Sequence, residues 1–412
     1  MALFKGSGHM RKAKAVILCA GRSTRTYPLT VHRPKALLLV GGKTIIEHVL
    51  DSLAGIASDA ILVVGFGSEQ IIAKLGGRYG NISITYANQN QALGTGHALL
   101  QAEKLIEKDE KFMVMMGDDI YPREAMTECF SYGISMLGQK VGNPSEFGML
   151  ETDGGFLTKI NEKPFDVSSG MANTGFYVLN SRIFDVLKKI GRSERGEYEL
   201  TDAVNELAKT MRIRCFYTKD WMPVVYPWDL LVANRSVLAA MKGRTFGRVE
   251  AHVTIKGNVH IGAGTIVHPG THIEGPAFIG ENCIIGPNAY IRPDTCLGSG
   301  VRFRGEVVDS IIMNNTTAKH SCYLGHSVVG ENVNIAAGTV TADYRHDGEE
   351  HATIVNGKKI YTGMKKLGAF IGDNVRTGIN TSIYPGRKIW PSLSTRPAEI
   401  VDKDMMPHEA NA

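Results

Sequence analysis

Arg25 and Lys35 are two fixed cations placed just beyond a small-residue turn, Leu18-Cys-Ala-Gly-Arg-Ser-Thr-Arg25, which runs on through Tyr27-Pro-Leu-Thr30 to Arg33-Pro-Lys35. The apolar run Ala15–Leu18 before the turn reads as a buried parallel strand. A turn poor in side-chain bulk exposes backbone N–H groups to an anion and lets the chain approach it closely. Two cations beside such a turn can neutralise charge that builds on a phosphoryl group. An ordinary strand-to-helix turn with solvated cations would need only Gly21; it does not account for the spaced set Gly21, Arg25, Pro28, Thr30, Pro34 and Lys35.

The first half alternates strand-like runs with amphipathic segments. Strands are predicted at Ala15–Leu18, Ala60–Gly65, Ile82–Tyr86 and Phe112–Met116, and helices at Ile45–Leu53, Glu69–Leu75 and Gly96–Leu105. That order predicts a doubly wound parallel sheet, whose ligands lie beyond the carboxyl ends of its strands. Gly21, Gln89, Gly94 and Asp118 all follow such ends.

The pattern changes near Met241–Gly247. From Ile255 an apolar residue returns every sixth position, through Ile261, Val267, Ile273, Ile279, Ile285, Ile291, Leu297 and Phe303, and the same spacing returns at Ile371, Thr377, Ile383 and Ile389. Six-residue periodicity with turn formers between is the signature of a parallel β-helix, each hexad forming one flat side of a coil. Gly262, Gly280 and Gly286 read as corner residues. Asp309–Lys319 shifts the phase, and Thr341–Gly368 is a polar insertion carrying Arg345, His346, Lys358, Lys359, Lys365 and Lys366. The predicted division is 1–9 as an expression scar, 10–245 as an α/β Rossmann-like domain, 246–390 as the β-helix and 391–412 as an arm or frayed tail.

Composition narrows the classes. A chain of 412 residues is long for a single core, and 43% hydrophobic with 21% charged residues is globular. The net charge of +5 is spread without a basic block, so electrostatics do not point to nucleic acid. Six cysteines without a C-x-x-C pair read as buried thiols of a reducing compartment, hence cytoplasmic, and no apolar run reaches the length of a membrane span.

Gly21 to Lys35 resembles the signature of sugar-1-phosphate nucleotidyltransferases, G-x-G-T-R-x-x-P-x-T-x-x-x-P-K, with Ser23 at the second glycine. The resemblance implies a sugar-1-phosphate oxygen attacking the α-phosphorus of a nucleoside triphosphate, with pyrophosphate leaving. It places the nucleotide on Leu18, Ala20 and Gly21, with Arg25 and Lys35 as the catalytic cations. Asp118 would bind Mg2+. The stretch from Gln89 to Thr95 is similar to a pyrimidine-reading loop, so Gln89, Gly94 and Thr95 would read the base of UTP or dTTP. Gly148, Glu162 and Asn173 match sugar-binding motifs, and Lys163 would sit at the sugar phosphate. Ser193–Asp202 matches a structural turn and helix. Where relatives carry W-x-D-x-G, with a second metal-binding Asp, this chain has Trp221-Met-Pro-Val-Val225, leaving Asp229 or Asp220 for that role.

Lys319-His-Ser-Cys-Tyr-Leu-Gly325 resembles the catalytic segment of glucosamine-1-phosphate N-acetyltransferases. His320 would take the proton of an amine attacking acetyl-CoA, with Tyr323, Asn334 and Arg292 on the sugar phosphate. Val308 stands where bacterial members carry a Lys, and Asp343 replaces an Asn, so a carboxylate there can pair with a substrate ammonium. Together the motifs resemble the archaeal bifunctional enzymes that make UDP-N-acetylglucosamine, with a left-handed β-helix, a homotrimer and neither nucleic acid nor membrane as partner. Two rivals predict otherwise. A single-activity thymidylyl- or guanylyltransferase would release pyrophosphate but no CoA thiol, and a non-catalytic scaffold would turn over nothing.

Overall fold

The computed structural model describes residues 13–162 and 169–407. The expected scar at 1–9 and Lys163 lie outside the described residues. The chain forms two compact units, one of residues up to Gly21 with Ile46–Pro223, the other of Arg22–Ile45 with Val224 onward. This division differs from the predicted one at 245: it falls at Pro223 and groups the signature loop with the second unit.

A ten-stranded sheet organises the first unit. Ala13–Cys19 lies between Ala57–Val64 and Lys111–Met116, and Ile82–Asn88 follows Ala57–Val64, all four parallel. In chain order these strands stand third, second, first, fourth, so the sheet reverses direction of growth between Ala13–Cys19 and Lys111–Met116. Clefts open at such a reversal. Beyond it the sheet is mixed rather than parallel throughout: Gly170–Asn180 runs antiparallel to both Lys111–Met116 and Ser135–Val141. The predicted helix Ile45–Leu53 forms over those residues and buries Ile45, Ile46, Val49, Leu50 and Leu53, the i, i+1, i+4, i+5, i+8 stripe of one helical face.

In the second unit the chain visits three parallel sheets in rotation. Thr254–Lys256, His272–Glu274 and Tyr290–Ile291 stack on one; Val259–Ile261, Ala277–Ile279 and Thr295–Leu297 on another; Arg248–Val249, Ile266–Val267 and Ile284–Ile285 on the third. Partners stand eighteen apart, as Ile273 with Ile291. The hexad residues Ile261 to Phe303 fill one core, while Ile255, on the first coil, is 37% exposed. Gly262 opens a corner, its carbonyl accepting from Thr265 N–H at 3.3 Å, although neither it nor Gly280 is left-handed. A Cβ on Gly262 would meet the Gly280 backbone at 2.6 Å, so they permit coils to approach, and Asn282, Asn288 and Asn315 take the left-handed corners.

The phase shift has a simple cause: coils shorten. Cys296 pairs with Ile311, Glu306 with Tyr323 and Ile311 with Val328, spacings of fifteen, seventeen and seventeen. The insertion lengthens one coil, so that Val328 pairs with Phe370, and folds into a hairpin of Ala352–Val355 and Lys358–Tyr361. Residues from Pro391 are not a frayed arm. Ile400–Val401 pairs with Ser382–Ile383 and Met405 bridges Ile389, adding a last coil. Beneath it the Lys388 ammonium, 2% exposed, donates to Thr353 Oγ1 and the Ile354 carbonyl and lies 3.6 Å from Asp404. Burial lowers its pKa, against the pull of Asp404. All six cysteines are buried free thiols. No described helix is long and apolar enough to cross a membrane.

Candidate functional sites

The rim of the first unit lies where the parallel strands end. Gly117 N–H donates to the Leu18 carbonyl (2.9 Å), Phe66 N–H to that of Ala20 (3.3 Å), and Gln89 N–H to that of Val64 (2.8 Å). These bonds draw Leu18, Ala20, Gln89 and the half-buried Asp118 onto one edge. Gly21 is exposed, and a Cβ there would meet nothing within 4 Å. Protein packing therefore does not demand glycine at 21, whereas close approach of an anion does. The Cys19 thiol behind Asp118 is held protonated, by burial first and by Asp118 second.

Gln89 donates from Nε2 to the Gly94 carbonyl and contacts His97 Nδ1, each at 3.0 Å. Gly94 has φ +105°, and a Cβ on it would lie 2.6 Å from the Tyr198 carbonyl. Only glycine fits this place. The Ser193–Asp202 segment explains why: Gly96 N–H donates to the Tyr198 carbonyl, Tyr198 N–H to that of Leu93, and Leu200 N–H to Thr95 Oγ1. The segment read as structural thus clamps the Gln89–Thr95 loop.

Gly148 and Glu162 face each other across paired strands, with Glu162 Oε1 3.2 Å from where a Gly148 Cβ would stand. Asn173 donates to the Tyr177 phenol at 2.5 Å. Met149 pairs with Asn161 on one side and Ala172 on the other, so the strands bearing Gly148, Glu162 and Asn173 are neighbours. Arg195 lies 3.6 Å from Glu162 and 2.8 Å from the buried Glu199, whose pKa burial raises despite Arg195.

Trp221 donates from Nε1 to Asp119 Oδ2 at 3.2 Å, and Met222 bridges Ile120. The Trp221 motif therefore abuts the Asp118–Ile120 loop, but Pro223 brings no oxygen ligand. Asp220 is exposed, its N–H donating to Thr218 Oγ1. Asp229 lies in the second unit, where its Oδ2 accepts N–H bonds from Val225 and Tyr226 at 2.8 and 2.7 Å. Among the described residues no group of three His, Cys, Asp or Glu could hold a metal ion. Magnesium, which takes one or two carboxylates with waters and substrate phosphates, still fits Asp118.

Arg25 and Lys35 also belong to the second unit. Ser23 has φ 50° and ψ 52°, so the signature position where relatives carry glycine is left-handed in this chain, and serine occupies it. Its carbonyl accepts from the buried Thr26 and Thr30 hydroxyls at 2.7 and 2.9 Å, which fixes the turn presenting Arg25. Exposed Arg25 stands 6.0 Å from the Tyr226 ring. Lys35 is 8% exposed and donates to the Val224 carbonyl. Arg33 pins the loop to the coils through Asp373 and Glu331, at 2.9 and 3.0 Å.

The coil site gathers Arg292, Tyr323 and Asp343. Tyr323 donates to Asp343 Oδ2 at 2.8 Å, and burial together with Asp343 raises its pKa. Arg292 pairs with Glu306 at 3.0 Å, and Glu306 lies beside Tyr323 in the sheet. A Cβ on Gly325 would stand 2.6 Å from the Tyr323 oxygen and overlap Asp343, so Gly325 makes their meeting possible. His320 is exposed, and Asn334 accepts from Thr317 at 3.0 Å on a neighbouring face; neither joins that cluster directly. A cavity of about 540 Å³ opens beside it, with Arg292, Val308, Asp309, His326, Lys365 and Lys366 in its wall.

Glu306, Asp309, His326 and Arg235 were not singled out from sequence. Their signal was present: Asp309, His326 and Asp343 stand seventeen apart, the local length of a coil.

A family model described as nucleotidyl transferase matches residues 14–239, and one described as the GMPPB C-terminal domain matches 267–378. The chain is 38% identical to the bifunctional protein GlmU of Methanococcus vannielii over 95% of each chain. It is 39% identical to a bifunctional sugar-1-phosphate nucleotidylyltransferase/acetyltransferase of Sulfurisphaera tokodaii, over 95% of this chain and 98% of that one. A crystal structure of a glucose-1-phosphate thymidylyltransferase from Bacillus anthracis, 29% identical, superposes with a TM-score of 0.51, covering 56% of this chain and 98% of that one.

Proposed function

Because this chain belongs to the nucleotidyl transferase family and, over nearly its whole length, to the bifunctional GlmU proteins, we propose that it joins two steps toward UDP-N-acetylglucosamine. It N-acetylates glucosamine-1-phosphate from acetyl-CoA and transfers a uridylyl group from UTP to N-acetylglucosamine-1-phosphate, releasing pyrophosphate. The observation that carries this reading is identity across both halves at once, 35–39% over 95% of the chain in archaeal relatives.

For uridylyl transfer we assign the nucleotide to Leu18, Ala20 and Gly21, the base to Gln89, Gly94 and Thr95, and the sugar to Gly148, Glu162 and Asn173, with Lys163 at its phosphate. Arg25 and Lys35 would offset charge on the transferring phosphoryl group. Asp118 would hold Mg2+, whose chemistry is to neutralise the phosphates; the resemblance leaves Asp229 as the second carboxylate, with Oδ2 already committed to two N–H groups. For acetyl transfer Arg292, Tyr323 and Asn334 would bind the sugar phosphate, Asp343 the ammonium, and His320 would act as base. We take the functional domains as 10–245 and, from 246 through the last coil, a left-handed β-helix; the three-sheet rotation supports a β-helix. A homotrimer and a cytoplasmic location follow the same resemblance, and free buried thiols suit a reducing compartment.

A single-activity enzyme with a purely structural coil is the second reading, favoured by the GMPPB C-terminal match and the thymidylyltransferase neighbour. One panel decides between them: sugar-1-phosphates crossed with UTP, dTTP, GTP and acetyl-CoA, with pyrophosphate and free thiol read separately. Release of both from one preparation is expected. Pyrophosphate without thiol, for every amino sugar tried, would leave the second reading standing.

A further inference from the structure

Acylating an ammonium requires two protons to move. One must leave before attack, since a protonated amine has no lone pair; the other leaves after attack and ends on the departing sulfur. His320 serves one transfer in the reading above, on which this inference rests. The coil holds a second imidazole, placed quite differently.

His326 is 8% exposed and forms part of the cavity wall. Its Nδ1 lies 2.6 Å from Asp309 Oδ2, and Nε2 lies 3.5 Å from Asp343 Oδ2. Arg235 grips the Asp309 carboxylate with two N–H groups, at 2.7 and 2.5 Å. A carboxylate can only accept, so a neutral His326 facing Asp309 would turn its Nδ1 hydrogen to it and leave its lone pair on Nε2. Asp343 in turn accepts from Tyr323, and its carbonyl is 3.1 Å from His351 Nε2. Other charges face the same cavity. Arg292, Lys365 and Lys366 suit a phosphoryl group, and Asp294, whose carboxyl burial holds above its usual range, opposes them.

We propose that His326 is the second proton acceptor of acetyl transfer, held to that task by the series Arg235–Asp309–His326–Asp343–Tyr323. The substrate ammonium pairs with Asp343 and passes a proton through that carboxylate to Nε2. The N–H bonding pair stays on nitrogen as its lone pair, and the imidazolium rests between two carboxylates. The amine then attacks the thioester carbonyl, the C–S bond breaks with its electrons on sulfur, and the second proton travels by His320 to the thiolate. His326 returns its proton to solvent. The sum is acetyl-CoA plus ammonium giving amide, free thiol and one proton.

The test uses the full chain with glucosamine-1-phosphate, following thiol release from about pH 6 to about pH 9. With His326→Asn, kcat/KM is expected to fall about 100-fold at the acid end, and the gap to narrow below about tenfold at the alkaline end, where the acceptor amine sheds its own proton. Pyrophosphate release from the same preparation should be unaltered, which reports folding. Asp343→Asn, which keeps the Asp309–His326 pair, should show the same narrowing gap, and it decides the matter if the first variant does not fold. A gap of equal size at both ends, or none, overturns the proposal while leaving acetyl transfer intact. No thiol release from the unsubstituted protein sinks the acetyl-transfer reading itself.

Discussion

The rim of the first unit and the coil cluster of the second reach function by different means. The rim gathers Leu18, Ala20, Gln89 and Asp118 because parallel strands end together where the sheet reverses its growth. Residues far apart in the chain meet there through topology. In the coil, Asp309, His326 and Asp343 meet because two successive spacings of seventeen residues set them one above another. A rim tolerates insertions between its strands. A ladder tolerates them only in whole coils, or as excursions such as the hairpin at 352–361 that leave the register unchanged.

Four substitutions probe that contrast. Asp118→Asn removes the carboxylate proposed to hold Mg2+ and should cut pyrophosphate release about 1,000-fold, with thiol release unaltered in a coupled assay. A parallel fall in thiol release would break the separation of the two regions. Phe303→Ala empties a fully buried coil position and should cost about 3–5 kcal/mol, read as a lower denaturant midpoint for the second unit. Gly325→Ala drives a methyl between Tyr323 and Asp343; about 100-fold loss of thiol release with intact pyrophosphate release is the outcome that sharpens the comparison. Asn282→Ala leaves a left-handed corner, φ 55°, to a residue that disfavours it, and should cost about 1 kcal/mol in thermal unfolding without touching either activity.

A further check concerns protonation. The Tyr323 phenol is pushed up by burial and by Asp343, so its folded pKa exceeds the unfolded value near 10. The sign is fixed by that order: the folded state holds this proton more tightly, so the stabilisation is complete below the unfolded pKa and fades as pH climbs through the folded one. Absorbance titration of Tyr323→Phe should therefore lose one late-titrating phenol, and early titration of that group would contradict its bond to Asp343.

Much of this was legible in the sequence because it is periodic. The four parallel strands, the helix at Ile45–Leu53 and the hexad core from Ile261 to Phe303 each announce themselves by spacing. The antiparallel strand Gly170–Asn180 did not, since its apolar run is indistinguishable from that of a parallel one. The last coil was missed because Pro and charge dominate 391–405, although Val401 and Leu393 keep the inward places. Ser23 shows the limit from the other side: serine at the signature's glycine position still takes a left-handed backbone, because two threonine hydroxyls hold its carbonyl. His326 escapes the six-residue count because the coils around it are seventeen residues long, so Asp309, His326 and Asp343 fall out of the hexad register.

Lys388 gives the carboxyl terminus a consequence of its own. Its ammonium sits under the closing coil, shared among the hairpin's Thr353 and Ile354 and the late carboxylate Asp404. Proteolytic trimming before residue 400 would flood that ammonium with water, and it would no longer need the hairpin's oxygens. Loosening would start at the clipped end and travel to the wall of the coil cavity, which Lys365 and Lys366 help to form.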